Sequence, residues 1–369
     1  MDGTGLAISL AKAGFVAFLL LNAVPLLVWL ERRGAAFIQD RIGPNRTSIA
    51  GFALAGLVQP LADVVKFMFK EDFVPPSANR TFYLLAPIIT LIPALMTFAV
   101  VPFADVVRIG ERLVQMQVAD LNVGILYVFA IASLGVYGVV LAGWASNNKY
   151  SFLGSVRASA QMISYELSMG LSVLGLVMVF GTLQLDDMVR AQGARLFGVL
   201  PLWGIVLQPL GFLLFVISVF AETNRLPFDL AESEAELVVG YHTEYSSMKF
   251  ATFFMAEYIA MTTGAALIVS LFLGGWQVPF VSSETLNGWT ADLLGPGAGS
   301  WLAALIQFGS FSAKLGFFLW LFIWVRWTLP RFRYDQLMRL GWKVMLPLAL
   351  ANLLVTAAVL LVIDGAAGR

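Results

Sequence analysis

Residues 121–145, LNVGILYVFAIASLGVYGVVLAGWA, carry no charge. As a helix they are long enough to cross a hydrocarbon layer about 30 Å thick. Runs like this recur along the 369 residues, and no other feature limits the fold as strongly. Inside a bilayer every backbone N–H and C=O must find its partner within the chain, which a helix achieves by itself. Eight segments qualify, at about 9–30, 81–104, 121–145, 158–181, 197–221, 250–275, 301–326 and 343–363. The expected fold class is all-α, a polytopic membrane protein with eight transmembrane helices plus amphipathic interfacial helices, forming a single membrane domain over 1–369. The first run looks like a signal peptide only superficially. Its apolar stretch is too long and leads straight into Glu31, Arg32 and Arg33, so it is expected to stay in the mature protein.

Lysine and arginine set the orientation. One set of alternate connections holds Arg32, Arg33, Arg41, Arg46, Lys66, Lys70, Arg80, Lys149, Arg157, Arg225, Lys249, Arg326, Arg331, Arg333, Arg339 and Lys343. The opposite set holds Lys12, Arg108, Arg112, Arg190, Arg195 and Arg369, with Lys314 inside a span. The positive-inside rule then places the richer set in the cytoplasm and both termini on the periplasmic side. Residues 31–80 form a cytoplasmic connection in which Leu57, Leu61, Val64, Val65 and Met68 share one helical face, as in an amphipathic helix lying in the interface and interrupted near Pro60. Residues 222–249 form an acidic cytoplasmic loop.

Composition excludes several chemistries. The chain has no cysteine and one histidine, His242, which rules out thiolate-bound iron–sulfur clusters here and argues against a haem or histidine-rich metal site. Any redox cofactor is expected on a partner. A formal net charge of zero gives no bulk attraction for nucleic acid. Gly3 and Gly5 begin a GxG, but Ile8 stands where a third glycine belongs, so no dinucleotide site is expected.

The ionisable residues within or next to apolar runs are the candidates for function, because a charge at the bilayer centre costs about 2.5–3.5 kcal/mol even on insertion scales. Glu166 and Glu257 lie roughly 13 and 12 Å along their helices from Arg157 and Lys249, and Glu222 closes the fifth run. Packed together, they would form a polar track from the cytoplasmic surface inward. The alternative is that each pairs with a cation and only holds the bundle, although no cation on their own helices lies near Glu166 or Glu257. Lys314 is open to the same two readings. Tyr165 either extends a relay or serves as an interfacial aromatic. The stretch AETNRLPFDLAESEAELVVGYHTEYSSMKF, residues 221–250, gathers six carboxylates and His242. Asp229 with Glu232 fits a helix start, while Glu234 and Glu236 suggest a negatively charged pocket wall beside Arg225. His242 is either a general acid or a structural hydrogen-bonder, and Ser246 or Ser247 caps the next helix.

Five motifs taken in order carry a resemblance: LERRGAAFIQDRIGPNR (30–46), LVQPLADVVKFMFKEDFVP (57–75), GWASNNKYSFLGSVRASAQMISYELSMG (143–170), the 221–250 stretch and RWTLPRFRYDQLMRLGWKVMLP (326–347). Together they resemble the H subunit family of bacterial NADH-quinone oxidoreductase, respiratory complex I, whose mitochondrial counterpart is NADH dehydrogenase subunit 1. The likeness implies a proton-pumping translocase in the bacterial inner membrane. In it this chain forms much of the quinone access tunnel and couples quinone reduction to a proton path, without a redox centre or metal of its own. Arg32, Arg41, Asp63, Lys66, Arg225, Phe228, Glu232, Glu234 and Glu236 would line or neighbour the tunnel. Glu166, Glu222, Glu244 and Glu257 would belong to the proton path. Quinone is then the substrate, flavin and iron–sulfur clusters sit on partner subunits, and the partners are the peripheral-arm quinone-site subunits, the other membrane subunits and the lipid bilayer. Ala231 stands where many relatives have proline. A cation/proton antiporter would also use intramembrane acids, but paired Gly/Pro-broken helices in two halves are lacking. The membrane anchor of a proton-pumping hydrogenase is the other alternative.

Overall fold

The structure, a computed structural model, describes residues 3–49, 51–196, 200–230 and 237–366. The helices are α1 (Gly3–Ile38), α2 (Val58–Phe69), α3 (Arg80–Thr97), α4 (Gly124–Ala145), α5 (Lys149–Phe180), α6 (Leu185–Ala191), α7 (Gly204–Leu207), α8 (Pro209–Glu222), α9 (Ser247–Phe272), α10 (Ser283–Thr328), α11 (Tyr334–Leu340) and α12 (Leu346–Ala366). Seven helical segments among the described residues are long and apolar enough to cross a membrane: α1, α3 with its last turn, α4, α5, α9, α10 and the run from α11 into α12. The class is therefore all-α and polytopic. A π-helical turn, Gly341–Met345, joins α11 to α12 where Gly341 leaves room for the Tyr165 ring.

The expected fifth span takes a different form. Pro209 starts α8, and at 1.5 Å per residue its 14 residues reach only about 21 Å, less than a hydrocarbon layer. At one end, Gly204 packs against the backbone of Leu271 and Phe272, near the C-terminus of α9. At the other, Gln161 of α5 donates to Ala221 O and Phe228 O, both at 2.6 Å. Gln161 lies about 18 Å along α5 from Lys149. The turn after α8 is thus recessed deep between longer helices, and Glu222, placed by sequence at the edge of the bundle, sits inside it.

Two short hairpins are the only strands among the described residues: β1 (Ala104–Ile109) with β2 (Arg112–Met116), and β3 (Arg195–Leu196) with β4 (Leu200–Pro201). The β1–β2 hairpin falls in a connection between apolar runs, where hydropathy predicts no element. It turns at Gly110, whose φ of +64° suits glycine, and buries Val107. Asp105 N donates to Gln307 Oε1 at 2.9 Å, and Arg190 pairs with Asp105 at 2.7 Å and Asp186 at 2.8 Å, so the hairpin is fastened to α10 and α6. Pro60 does not interrupt α2. It lies in the first turn, where its missing N–H costs nothing.

Small residues let the helices approach closely, as expected where hydrocarbon surrounds both and dispersion drives packing. At Gly138 of α4 an added Cβ would lie 2.8 Å from Thr90 N and 3.0 Å from Ala86 O, and against Thr90 Oγ1. Gly170 of α5 has open space in the same position. Gly138→Ala is therefore expected to destabilise the subunit by about 1–3 kcal/mol through overpacking, and Gly170→Ala to cost nothing of that size. Thermal unfolding of the purified complex in detergent checks this, and equal melting points for the two variants would refute it.

Candidate functional site

Arg225 occupies the recessed turn and is 3% exposed. A guanidinium stays ionised, so in this setting it needs matched negative charge. Its Nη1 donates to Glu31 Oε2 of α1 at 3.0 Å, and its Nε lies 2.6 Å from Glu257 Oε1 of α9. Its planar group also stands over the Tyr258 ring at 4.2 Å. Glu31 in turn accepts from Tyr258 OH at 2.7 Å and meets Arg326 of α10 at 2.6 Å. Two arginines and two glutamates thus form a largely buried chain of ion pairs across α1, α9, α10 and the turn. Glu257 does have a cation, supplied by a distant part of the sequence.

Other contacts hold the turn. Gln161 also donates to Asn224 Oδ1 at 3.2 Å, Arg331 Nη2 donates to Asp229 Oδ2 at 2.8 Å, and Phe332 N donates to Pro227 O at 3.1 Å. The Phe228 ring packs against Tyr165 and Phe332, with centroids 5.6 and 5.5 Å apart. Tyr165 OH donates to Leu337 O at 2.9 Å, so this tyrosine ties α5 to α11. Of the proposed helix start, Asp229 is described but Glu232 is not: Glu232 and the pocket acids Glu234 and Glu236 fall on residues 231–236, outside the described residues.

Two cavities flank the charged chain. The larger, about 420 Å³, lies between α1, α2, α9 and α10. Leu21, Val24, Val28, Val64, Phe67, Phe254 and Met255 line its apolar part, and Glu31, Arg32, Asp63, Tyr258 and Arg326 give it polar groups. Arg32 and Asp63 pair across it at 2.6 Å. Lys66 reaches Asp63 at 3.7 Å but is itself exposed. Arg41 lies outside this cavity, in an open depression with Arg32, Arg46 and Gln59. The smaller cavity, about 110 Å³, is lined by both Glu222 and Glu257, with Thr223, Asn224 and Tyr241 among the rest. Glu166 accepts a short hydrogen bond from Ser133 Oγ and lies within electrostatic reach of Glu222. Glu244 stands apart from these three, accepting from Asn148 Nδ2 at 2.6 Å beside the start of α5.

A family model described as NADH dehydrogenase matches residues 11–357. A Bdellovibrio bacteriovorus protein, named as the H subunit of NADH-quinone oxidoreductase, is 49% identical over 95% of this chain and 95% of its own length. The chain belongs to the H subunit family of NADH-quinone oxidoreductase. A Geobacter metallireducens H subunit, the first of that name in its organism, is 49% identical over 96% of this chain and 97% of its own. The Rhodothermus marinus protein named NADH-quinone oxidoreductase subunit 8 is 49% identical over 93% and 95%.

For this member of the H subunit family, sequence reasoning missed Glu31, Tyr258 and Arg326. Glu31 reads as the residue that ends the first apolar run and Arg326 as a topology charge; only the fold brings them together around Arg225. Lys314 is tied to the backbone beyond α9: its ammonium donates to the carbonyls of Leu273, Gly275 and Gln277 at 2.8, 3.0 and 2.7 Å and faces the Trp203 ring. Neither Ser246 nor Ser247 caps α9 with its side chain; their hydroxyls donate to Glu71 O and Phe67 O.

His242 is buried among the rings of Tyr241, Phe250, Phe253 and Phe254. Burial pushes its pKa down to about 3. It is therefore neutral at physiological pH and unsuited to general acid work. A folded-state pKa below the unfolded value of 6.5 means that the unfolded chain binds the extra proton first. Its contribution to stability is complete above pH 6.5 and is lost as pH falls toward 3. His242→Phe is expected to flatten the acid slope of thermal stability over that window without moving the pH profile of NADH:quinone turnover. A displaced activity profile would contradict this assignment.

Proposed function

We propose that the larger cavity is a stretch of the quinone access path, and that the smaller one begins a proton path whose state depends on what happens at the first. The chain is a membrane subunit of NADH-quinone oxidoreductase, an enzyme complex. One observation carries the rest of the reading: Arg225 bridges Glu31, which lines the larger cavity, and Glu257, which lines the smaller.

The lining suits the ligand. A quinone has an apolar tail and a carbonyl-bearing headgroup, and this cavity is mostly aliphatic and aromatic with its polar groups gathered among Glu31, Arg32, Asp63, Tyr258 and Arg326. Asp63 and Arg32 form the polar wall, Lys66 and Arg41 guide approach from the cytoplasmic side, and Phe228 packs behind Arg225. Glu232, Glu234 and Glu236 serve the same quinone path. Reduction of a quinone to a quinol takes two electrons and two protons. The transient negative charge beside Glu31 and Arg326 draws Arg225 toward that side. A buried carboxylate that loses its cation binds a proton, and Glu257 is placed to do so, with Glu222 in the same cavity and Glu166 next in line. Glu244 serves the same path nearer the bundle end. Electrons arrive from flavin and iron–sulfur clusters on peripheral-arm subunits, and the protons continue into the other membrane subunits. The complex lies in the bacterial inner membrane, with both termini of this chain periplasmic.

A photoreactive quinone carrying an azide on its tail tests the cavity assignment. Irradiation of the intact complex is expected to label peptides of α1 around residues 21–32 and of α9 around residues 248–258, and excess unlabelled quinone to suppress that labelling. Labelling of this chain only elsewhere would contradict the proposal.

A further inference from the structure

The contacts of α2 point to a residue outside the charged chain. We propose that Lys249 is a positioning residue that fixes the α2 wall of the larger cavity against α9, and thereby sets how readily a long hydrocarbon tail is admitted. The inference rests on the reading of that cavity as the quinone path.

Helix α2 forms one wall through Asp63, Val64 and Phe67, and α9 forms the facing wall through Phe250, Phe254 and Tyr258. Little core holds α2 down: Val58 and Pro60 are buried in its first turn and Phe67 meets the Phe250 ring, but Leu61, Val65 and Met68 are each more than half exposed. Its position depends on ties at its two ends. The first set runs to α1: Ala55 O accepts from Trp29 Nε1 at 3.0 Å and from Arg33 Nε and Nη2 at 3.0 and 2.7 Å, and Arg32 pairs with Asp63. The turn that carries this anchor has positive φ at Leu54, Ala55 and Gly56, so the chain direction there is set by an uncommon backbone conformation.

The second set runs to α9 and converges on one cation. Lys249 Nζ pairs with Asp72 Oδ1 at 2.9 Å, donates to Phe73 O at 3.4 Å and stands 5.0 Å over the Tyr83 ring. Beside it, Ser247 Oγ donates to Phe67 O at 2.8 Å. The two ends differ in kind. At the α1 end, an arginine fork and an indole share one carbonyl, whereas at the α9 end the ion pair has a partner, Asp72, that is 58% exposed. Ion pairs with one exposed partner are weak. The α9 end is therefore where the wall yields first, and Lys249 is the side chain that joins α9, α3 and the segment directly after α2 there. A tail threading between Phe67 and Phe254 lies against the wall that this junction holds, whereas an analogue with a short tail leaves most of the wall untouched.

The test uses the intact complex and compares a long-tailed quinone that the parent enzyme reduces with a short-tailed analogue bearing the same headgroup. Lys249→Gln is expected to change KM for the long-tailed quinone by about two- to fivefold, the range that corresponds to losing a part-exposed ion pair. The short-tailed KM and kcat at saturation should hold, and Lys249→Arg should restore the parental KM. A second variant, Asp72→Cys with Lys249→Cys, exploits the absence of cysteine from this chain. Bridging the pair with a two-carbon bis-methanethiosulfonate should slow long-tailed turnover relative to the same complex after dithiothreitol, with the parent complex unaffected by either reagent. Unchanged KM in Lys249→Gln, or equal shifts for both tails, overturns the inference, as does a bridge without effect. Photolabelling separates the two levels. Label in the cavity with no tail-dependent shift defeats the role of Lys249 alone, whereas label absent from the cavity defeats the quinone path and this inference with it.

Discussion

A buried guanidinium cannot shed its proton, so the bundle around Arg225 must supply negative charge wherever the turn after α8 places it. Glu31 and Glu257 do this from helices far apart in sequence, and Arg326 balances the surplus carboxylate. Removing one partner from such a set leaves an uncompensated buried charge, typically at a cost of about 3–5 kcal/mol. The packing of α1, α9 and α10 against one another is therefore tied to one residue in a loop. That residue also bridges Glu31, which lines the larger cavity, and Glu257, which lines the smaller, so the interaction that secures the fold is the one that links the two linings.

The short α8 makes this arrangement possible. A fifth helix of full length would deliver residues 222–230 to the bundle surface, where water would satisfy Arg225 and the acids would be ordinary surface charges. Because Pro209 starts the helix late and Glu222 ends it after about 21 Å, the turn stays inside, and Gln161, Arg331 and the backbone of Phe332 complete its hydrogen bonds. Burial then gives Glu222 and Glu257 one small cavity in common. The lone histidine, which sits in a cage of aromatic rings, plays no comparable part.

The class of the fold was legible in the sequence because hydrocarbon leaves few options: apolar runs of sufficient length must be helical, and seven of the described segments are. The fifth run is harder to read, since hydropathy counts apolar residues without asking whether Pro209 lets them form one helix. Candidate residues were legible for a similar reason, as Glu166, Glu222 and Glu257 are charges in the wrong solvent. Their partners were not. Glu31 and Arg326 belong to two other helices and Tyr258 follows Glu257 on α9, and no spacing along the chain brings any of them to Arg225; only the packing does. The serines at the start of α9 show the opposite error, because local sequence suits them to capping and tertiary contacts with α2 and the residues just after it claim their hydroxyls instead.

The claim that Arg225 joins the two cavities is tested most directly by the proton-to-electron ratio of an Arg225→Lys complex in sealed vesicles. Lysine keeps the charge, but its single ammonium lacks the rigid fork that reaches two carboxylates at once. The expected result is a complex that still assembles and reduces quinone but moves fewer protons per electron than the parent. An unchanged ratio at normal turnover would contradict the account.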